Sequence, residues 1–237
     1  MADFTLLDGA AFAWFLIAWL GYNRFADRPR TGLRTLARAV EHYRYAWMQR
    51  MLRRDNRIVD VAIVGNITRS IGFFASTTIL ILAGLIAVLG ATDKLMVIVN
   101  DLPFSLPTSK LLWDTKLLLL ITIFVYAFFK FTWSLRQYNY TSMMIGAAPL
   151  GNEVGYDLEE YARHVAGAAA RGTEHFNQGI RGYYFGLAAL SWFIHPWLLI
   201  VVSAWIVCVL FRREFRSRTL KDLQGGERYL YRNDPSD

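Results

Sequence analysis

Long apolar segments alternate along this chain with shorter segments that are rich in arginine. The first three apolar segments cover residues 4–22, 67–90 and 110–135. A helix of about 20 residues rises about 30 Å, which matches the hydrocarbon core of a bilayer. The pattern therefore predicts a transmembrane helix over each of these segments.

The last apolar segment runs from Tyr183 to Phe211 and has Pro196 near its middle. One unbroken helix over this segment would be long for a bilayer, and proline interrupts a helix interior. A break at His195–Pro196 gives two helices, over 176–194 and 197–211, and five transmembrane helices in total. An unbroken segment, and hence four spans, is the alternative.

The arginines support this topology. All 21 can be placed on one side of a membrane if the apolar segments cross it five times. Lysine and arginine are retained on the cytoplasmic side of membrane proteins. We therefore expect a multi-pass protein of a bacterial cytoplasmic (inner) membrane, with the N-terminus outside and the C-terminus inside.

Two polar segments also have helical spacing. Residues 31–64 repeat large apolar side chains every three or four positions, with arginines between them, which predicts a basic amphipathic helix. We expect it to lie on the inner membrane surface or to pack against a neighbouring helix. Residues 157–175 begin with Asp157 as an N-cap, followed by Glu159 and Glu160 in the first turn.

The predicted fold class is thus all-α, a polytopic helical membrane protein with five transmembrane helices and cytoplasmic amphipathic helices. Residues 1–221 are expected to form a single helical membrane domain, and residues 222–237 a polar tail. Composition agrees, because 54% of the residues are hydrophobic and only 19% are charged. Soluble domains average about 45–50% and 25%.

The net charge of +7 raises the question of a nucleic-acid partner. The basic residues flank apolar segments, however, which favours the anionic headgroups of membrane lipids as partners. No nucleic-acid binding is expected.

Enzymatic and cofactor chemistry finds little support in the sequence. The four histidines avoid the middles of the predicted spans, the single cysteine is Cys208, and no glycine-rich phosphate loop is present. We therefore expect no catalytic residue, no metal site and no cofactor.

One set of polar side chains is a candidate site for a ligand or lipid headgroup. Its members fall at the predicted inner ends of three spans, where ionisable groups are costly unless paired or hydrated. They are Asn66, Arg69, Lys130, Arg136, Glu174, Asn177 and Arg181. We expect Arg69 and Arg181 either to pair with Glu174, Asp60 or the Glu159–Glu160 pair, or to leave a positive pocket for a phosphate or carboxylate. Snorkelling of these side chains to the interface is the structural alternative.

Several stretches resemble an uncharacterised family of integral membrane proteins, catalogued as domain of unknown function 599. The stretches that carry the resemblance are 66–70 followed by 75–77, 128–131 followed by 134–138, 179–187, the turn at 192–196 and the ending at 212–215. The sequence departs from the family pattern at Ile194-His195-Pro196, where a glycine is expected before the proline. The resemblance implies a multi-pass fold and implies no activity.

The functional expectation is a non-enzymatic, self-associating membrane protein that orders lipid or other subunits, with a homo-oligomer as its assembly. Small residues along the second apolar segment support it, because they let helix backbones approach closely. The alternative is a pore or transporter for an anion or a small amphiphile that uses the inner polar residues. An enzyme acting on lipid headgroups is the third and least supported class, since no nucleophile–base pair is apparent.

Overall fold

The fold is all-α in the part of the chain that the computed structural model describes, which is residues 5–27, 35–94, 96, 109–150, 155–227 and 229–230. These residues contain seven α-helices and one short 3-10 turn. They are α1 (Leu6–Ala26), α2 (Leu36–Leu52), α3 (Ile58–Gly90), α4 (Lys110–Gly146), α5 (Leu158–Leu190), the 3-10 turn Ser191–Phe193, α6 (Pro196–Arg216) and α7 (Arg218–Glu227).

Three of these helices are long and apolar enough to cross a membrane by length and composition, namely α1, α3 and α4. They suggest a membrane protein. The predicted count of five spans is wrong, because neither of the two C-terminal segments is among these candidates within the described residues.

The physical reasons for the lower count are polarity and length. Residues 158–190 form one continuous helix, so the predicted span 176–194 is the second half of a helix that is polar on one side and carries Arg181 in its apolar part. The predicted span 197–211 has about 15 apolar residues, or about 22 Å of helix, before Arg212. That is short of the ~20 residues a span needs. The break predicted at His195–Pro196 is present, and Pro196 is the first residue of α6.

Side-chain caps fix several helix starts, among them those of α1 and α5. Thr5 and Asp8 form a capping box at α1, in which each side chain accepts a hydrogen bond from the other residue's backbone N–H. Asp157 caps α5 as predicted, since its carboxylate accepts the backbone N–H of Glu160 at 2.9 Å. Each cap satisfies backbone N–H groups that the first helical turn leaves without a partner.

The basic segment 31–64 is two helices rather than one. Helix α2 ends at Leu52, and α3 begins at Ile58 after a short turn. Arg57 in this turn donates hydrogen bonds to the carbonyl oxygens of Ala148 at 2.5 Å and Pro149 at 2.6 Å. These carbonyls follow the end of α4, where a cation is favourable for the helix dipole. Arg57, which was predicted to face lipid or water, therefore binds carbonyl groups at the end of α4.

By its internal contacts the chain divides into two compact units. Unit 1 comprises Met1–Arg28, Phe73–Phe131 and Asn177–Val209. Its core is aromatic: Tyr183 packs edge-on against Phe74 and Phe124, with ring centroids 5.9 and 5.3 Å apart. Phe15 and Phe185, both fully buried, meet at 5.9 Å. Such pairs add about 0.5–1.5 kcal/mol each beyond the area they bury.

Unit 2 comprises Pro29–Gly72, Thr132–Phe176 and Leu210–Asp237. In it α2 packs on α7, and the Tyr43 hydroxyl donates to the carbonyl oxygen of Leu223 at 3.0 Å. Helix α7 thus includes the first residues of the segment 222–237, which was predicted to be a polar tail. The predicted alternative of packing against a neighbour describes α2 in this unit, where Met48 and Met51 are fully buried.

Glycines of α5 let it pack closely against α4. A Cβ added at Gly179 would lie 2.6 Å from the Phe131 ring, and one at Gly186 would lie 3.0 Å from the Phe124 ring. Unit 1 thus contains an antiparallel α4–α5 contact at a separation that a methyl group would disturb. In contrast, none of the described residues lies within 4 Å of a Cβ added at Gly84 of α3.

The first prediction compares these glycines. Gly179→Ala should lower the free energy of unfolding by about 1–3 kcal/mol, because the new methyl group overlaps the Phe131 ring. Gly84→Ala is the matched control and should be neutral or stabilising by up to ~1 kcal/mol, since alanine is the better helix former. Thermal unfolding of the purified chain in detergent measures both. Equal melting temperatures for the two variants would contradict this packing.

Candidate functional site

The predicted inner polar residues are distributed over both units. In unit 2, Asn66 and Arg69 are exposed one turn apart on α3. The Arg69 guanidinium donates to the Asn66 side-chain oxygen. The partner of Arg69 is therefore a neutral amide of its own helix rather than Glu174, Asp60 or the Glu159–Glu160 pair.

Arg136 and Glu174 are also exposed in unit 2. The guanidinium of Arg136 lies 5.5 Å from the Trp133 ring centroid, and its Nε donates to the Tyr140 hydroxyl at 2.7 Å. Stacking of a guanidinium on aromatic rings is typical of arginines near a membrane interface.

Asp60 was a predicted partner of Arg69 or Arg181. It is instead fully buried beside Arg54 and Trp47. Its Oδ1 accepts hydrogen bonds from Arg54 and from the Trp47 indole, both at 2.6 Å. Glu159 likewise accepts from Tyr45 at 3.1 Å and from Arg163 at 3.2 Å. These acids bind residues other than those predicted.

A further arginine, Arg44 of α2, is half-buried in unit 2. Arg44 donates to the Thr173 hydroxyl at 2.9 Å, and the Tyr138 hydroxyl lies 2.7 Å from the same oxygen. Burial lowers the pKa of Arg44, and the nearby Tyr138 and Glu41 oppose that shift. Arg44 therefore ties α2 to α5 within this unit instead of facing lipid headgroups.

In unit 1, Lys130 is half-buried on α4 and Asn177 is exposed on α5. The Lys130 ammonium lies 5.3 Å from the Tyr126 ring centroid, within the range of a cation–π contact. No acid pairs with Lys130 among the described residues.

Arg181 is the predicted site residue with the most developed surroundings. Its Nε donates to the Asn23 side-chain oxygen at 2.7 Å, and its terminal nitrogen pairs with Asp27. Gln178 donates to the second oxygen of Asp27 at 2.8 Å. The Arg181 side chain is only 12% exposed. We call these four residues, two at the end of α1 and two on α5, the Asp27 cluster.

A second polar cluster in unit 1 lies at the opposite end of α1 and was not predicted. Asp8 is 4% exposed, and its Oδ1 accepts the indole N–H of the fully buried Trp192 at 2.9 Å. Its Oδ2 accepts from the Thr5 hydroxyl at 2.5 Å. We call Asp8, Lys116 and Trp192 the Asp8 cluster.

Lys116 places a positive charge in this cluster. It is 4% exposed on α4, and its ammonium lies 5.4 Å from the Trp192 ring centroid and 5.8 Å from that of Phe193. The charge of Asp8 also acts on it. Asp8 and Lys116 are thus buried ionisable groups within two candidate spans, which is the usual mark of a functional site in a membrane protein.

Sequence reasoning missed this cluster because its members lie far apart in the chain. Asp8 lies near the start of the first apolar segment, and Lys116 has no polar neighbour within a turn except Asp114 and Thr115. The sequence did contain one signal, a lysine six residues inside an apolar helix. From this position the side chain must reach far to place its charge at the helix end.

Both clusters offer charged and hydrogen-bonding groups that can bind and orient a polar ligand. Within the described residues, no three or more histidine, cysteine, aspartate or glutamate side chains lie close enough to hold a metal ion.

The second prediction concerns the Asp27 cluster. Arg181→Met should cost about 3 kcal/mol of stability, because it leaves the carboxylate of Asp27 partly buried without its cation. In a double-mutant cycle with Asp27→Asn, the loss for the double variant should fall short of the summed single losses by about 1–3 kcal/mol. Thermal or denaturant unfolding in detergent measures each corner of the cycle.

Arg69→Met is the matched control, because Arg69 is exposed and its side-chain hydrogen bond among the described residues is to a residue of its own helix. It should change stability by less than about 0.5 kcal/mol. Additive losses for Arg181→Met and Asp27→Asn would show that the two side chains do not interact.

Comparison with known proteins gives one family. No curated protein and no solved structure matches the chain. A family model described as "Protein of unknown function, DUF599" matches residues 10–219, which is most of the sequence and includes the Asp27 cluster, Lys116 and Trp192. The resemblance noted from the sequence is thereby confirmed, and the chain belongs to the DUF599 family.

Proposed function

We propose that this protein is a non-enzymatic, self-associating multi-pass protein of a bacterial cytoplasmic membrane. Its N-terminus lies outside and its C-terminus inside. An odd number of crossings leaves the two ends on opposite sides, and the basic residues that follow α1 and α6 suit the cytoplasmic side. The surface through which copies associate is one face of α3.

The observation that carries the proposal is the exposure of α3. Only 17% of the most apolar 18-residue stretch of α3 is buried within the chain. The corresponding stretches of α1 and α4 are 33% and 44% buried. A helix that is long, apolar and so little covered needs either lipid or another protein surface beside it. The composition of its exposed face distinguishes between these two.

Small residues form a ridge along that face. They recur at spacings of seven, four, seven, four and three, which keeps them on one side of an α-helix. The ridge consists of Gly65, Gly72, Ser76, Ala83, Ala87 and Gly90. A Cβ added at Gly65, Gly72 or Gly90 would meet nothing within 4 Å, so the ridge has no partner among the described residues of the same chain.

Large side chains flank the ridge. Ile79, Leu80 and Ile86 are all more than half exposed beside it. Lipid chains gain little from a row of glycine and alanine, whereas a second helix gains close backbone contact. A second copy presents the same ridge between the same walls, and two-fold association buries one surface on both copies. We therefore assign a second copy of this chain as the occupant.

Exposed arginines supply the lipid contact in this proposal. Arg38, Arg50 and Arg53 of the α2 segment are exposed, and among the described residues they have no partners like those of Arg44 and Arg57. Each such cation near an anionic membrane surface contributes about 1 kcal/mol of attraction. The protein would thus hold copies of itself against anionic lipid.

The third prediction tests the α3 face. Ala83→Leu should weaken self-association by about tenfold or more, because a larger side chain in a close helix contact costs about 1–3 kcal/mol. Ala13→Leu is the control, since Ala13 is an exposed alanine of α1 and the change in volume is the same. Molecular mass in detergent over a range of protein concentrations measures the effect.

Cross-linking in membranes provides the second readout. In a Cys208→Ser background, Ala83→Cys should form a disulfide between copies on mild oxidation, since Cα atoms at a close two-fold contact approach within about 7 Å. Ala13→Cys should remain monomeric. A monomer at every concentration together with no cross-link at residue 83 would refute self-association through α3.

A pore or transporter for an anion or a small amphiphile is the second candidate function. One observation favours it, the burial of Asp8 and Lys116 within candidate spans, because intramembrane charges often mark ligand pathways.

The fourth prediction separates the two functions. Liposomes that contain the purified chain should show no more anion flux than empty liposomes if the protein only associates. Flux that is present in the wild type and lost in Lys116→Met would favour the transporter instead.

A further inference from the structure

Two buried hydrogen-bond donors on α4 in unit 1 have no acceptor among the described residues. The indole nitrogen of Trp113 is buried without a hydrogen-bond partner. Lys116, which is 4% exposed, has aromatic rings and the charge of Asp8 as neighbours, but no hydrogen-bond acceptor or ion-pair partner in the described part of the chain. Buried donors of this kind cost about 1–3 kcal/mol each unless something accepts their hydrogen bonds.

The two donors lie together. Trp113 and Lys116 are three residues apart on α4, so their side chains project from the same face of the helix. Both lie against Phe193: the Trp113 ring meets it edge-on at 4.9 Å between centroids, and the Lys116 ammonium lies 5.8 Å from its centroid. The Trp113 indole and the Lys116 ammonium therefore lie beside the same aromatic ring, that of Phe193.

Asp8 does not supply the missing acceptor. Its carboxylate already accepts hydrogen bonds from Trp192 and from the hydroxyl and backbone of Thr5. Among the described residues, no hydrogen bond or ion pair joins this charge to Lys116. Lys116 feels that charge without being bound by it, so the ammonium retains three N–H groups for another acceptor.

We propose that Trp113 and Lys116 form a binding site for the carboxylate of a membrane-borne amphiphile, such as a fatty acid. One carboxylate oxygen would accept from the Lys116 ammonium and the other from the Trp113 indole. Phe193 and Trp192 would line the site.

The setting favours a carboxylate on an apolar chain over a free anion. Lys116 lies six residues, about 9 Å, inside a candidate span, so a hydrated ion would have to give up its water to reach it. An amphiphile already resides in the membrane. Asp8 nearby disfavours a dianion, which leaves a group with a single charge as the better fit. Leu190 and Ile194, exposed on either side of the 3-10 turn, offer apolar surface to its chain.

The test measures binding of radiolabelled dodecanoate to the full chain in a non-ionic detergent. Lys116→Met should weaken binding by about tenfold or more, the effect of losing a charged hydrogen bond. Trp113→Phe should weaken it by about fivefold, because it removes only the N–H and keeps the ring against Phe193. Lys110→Met is the control, since Lys110 is an exposed lysine at the start of the same helix, and should bind as the wild type does.

Competition identifies the ligand's chemistry. Unlabelled dodecanoate should displace the probe, whereas dodecanol, which has the chain without the charge, and acetate, which has the charge without the chain, should not do so at the same concentration. Displacement by acetate at equal concentration would overturn the assignment to an amphiphile.

Unchanged binding in both Lys116→Met and Trp113→Phe would overturn the site. If Lys116→Met fails to fold, the result for Trp113→Phe decides alone. The site does not depend on self-association, so Ala83→Leu should keep wild-type affinity for dodecanoate even where it dissociates the oligomer.

Discussion

Polar groups inside an apolar layer must find partners within the protein, and this constraint organises the helices of unit 1. Helix α1 has a buried acid near its start, Asp8, and a partly buried acid at its end, Asp27. Asp8 binds Trp192 at one end, and Asp27 binds Arg181 and Gln178 at the other. The two acids are nineteen residues apart, or about 28 Å along the helix, close to the thickness of a bilayer's hydrocarbon core. Between them, aromatic side chains such as Phe15 and Trp19 fill the contact with other helices.

Small residues serve two different purposes in this chain. Those of α5 face α4, where Gly179 and Gly186 allow aromatic rings to pack against the helix backbone. A Cβ added at the glycines of the α3 ridge would meet nothing within 4 Å among the described residues, and large exposed side chains flank the ridge. The same chemistry thus supports internal packing at one helix and, in our proposal, contact between copies at another. Whether a small residue serves internal packing or contact between copies therefore depends on its neighbours in the structure and not on its residue type.

Much of the fold follows from the sequence alone. Hydrophobic blocks located α1, α3 and α4, Asp157 marked the start of α5, and Pro196 marked the break before α6. The number of spans could not be predicted in this way. Residues 176–194 form an apolar run in the sequence, and only the structure shows that this run continues the polar first half of α5. The fate of single arginines was equally hidden: Arg44 and Arg57 resemble lipid-facing residues in the sequence, yet both bind polar groups inside unit 2.

The candidate site was predicted only in part for the same reason. Arg181 was recognised from its position in an apolar block, but its partner Asp27 lies 154 positions away, at the end of α1. Asp8 and Trp192 are separated by 184 positions. Pairings over such distances depend on how helices meet, which no local pattern encodes. Sequence reasoning can therefore nominate buried charges, while the structure must supply what they bind.

Labelling at the two ends of α1 tests the central claim, that this helix crosses a membrane between two polar layers. Leu6→Cys and Arg24→Cys, both at exposed positions, would be made in a Cys208→Ser background and treated with a membrane-impermeant maleimide. We expect residue 6 to react in intact cells and residue 24 only after the membrane is opened. Reaction of both residues from the same side would contradict the account.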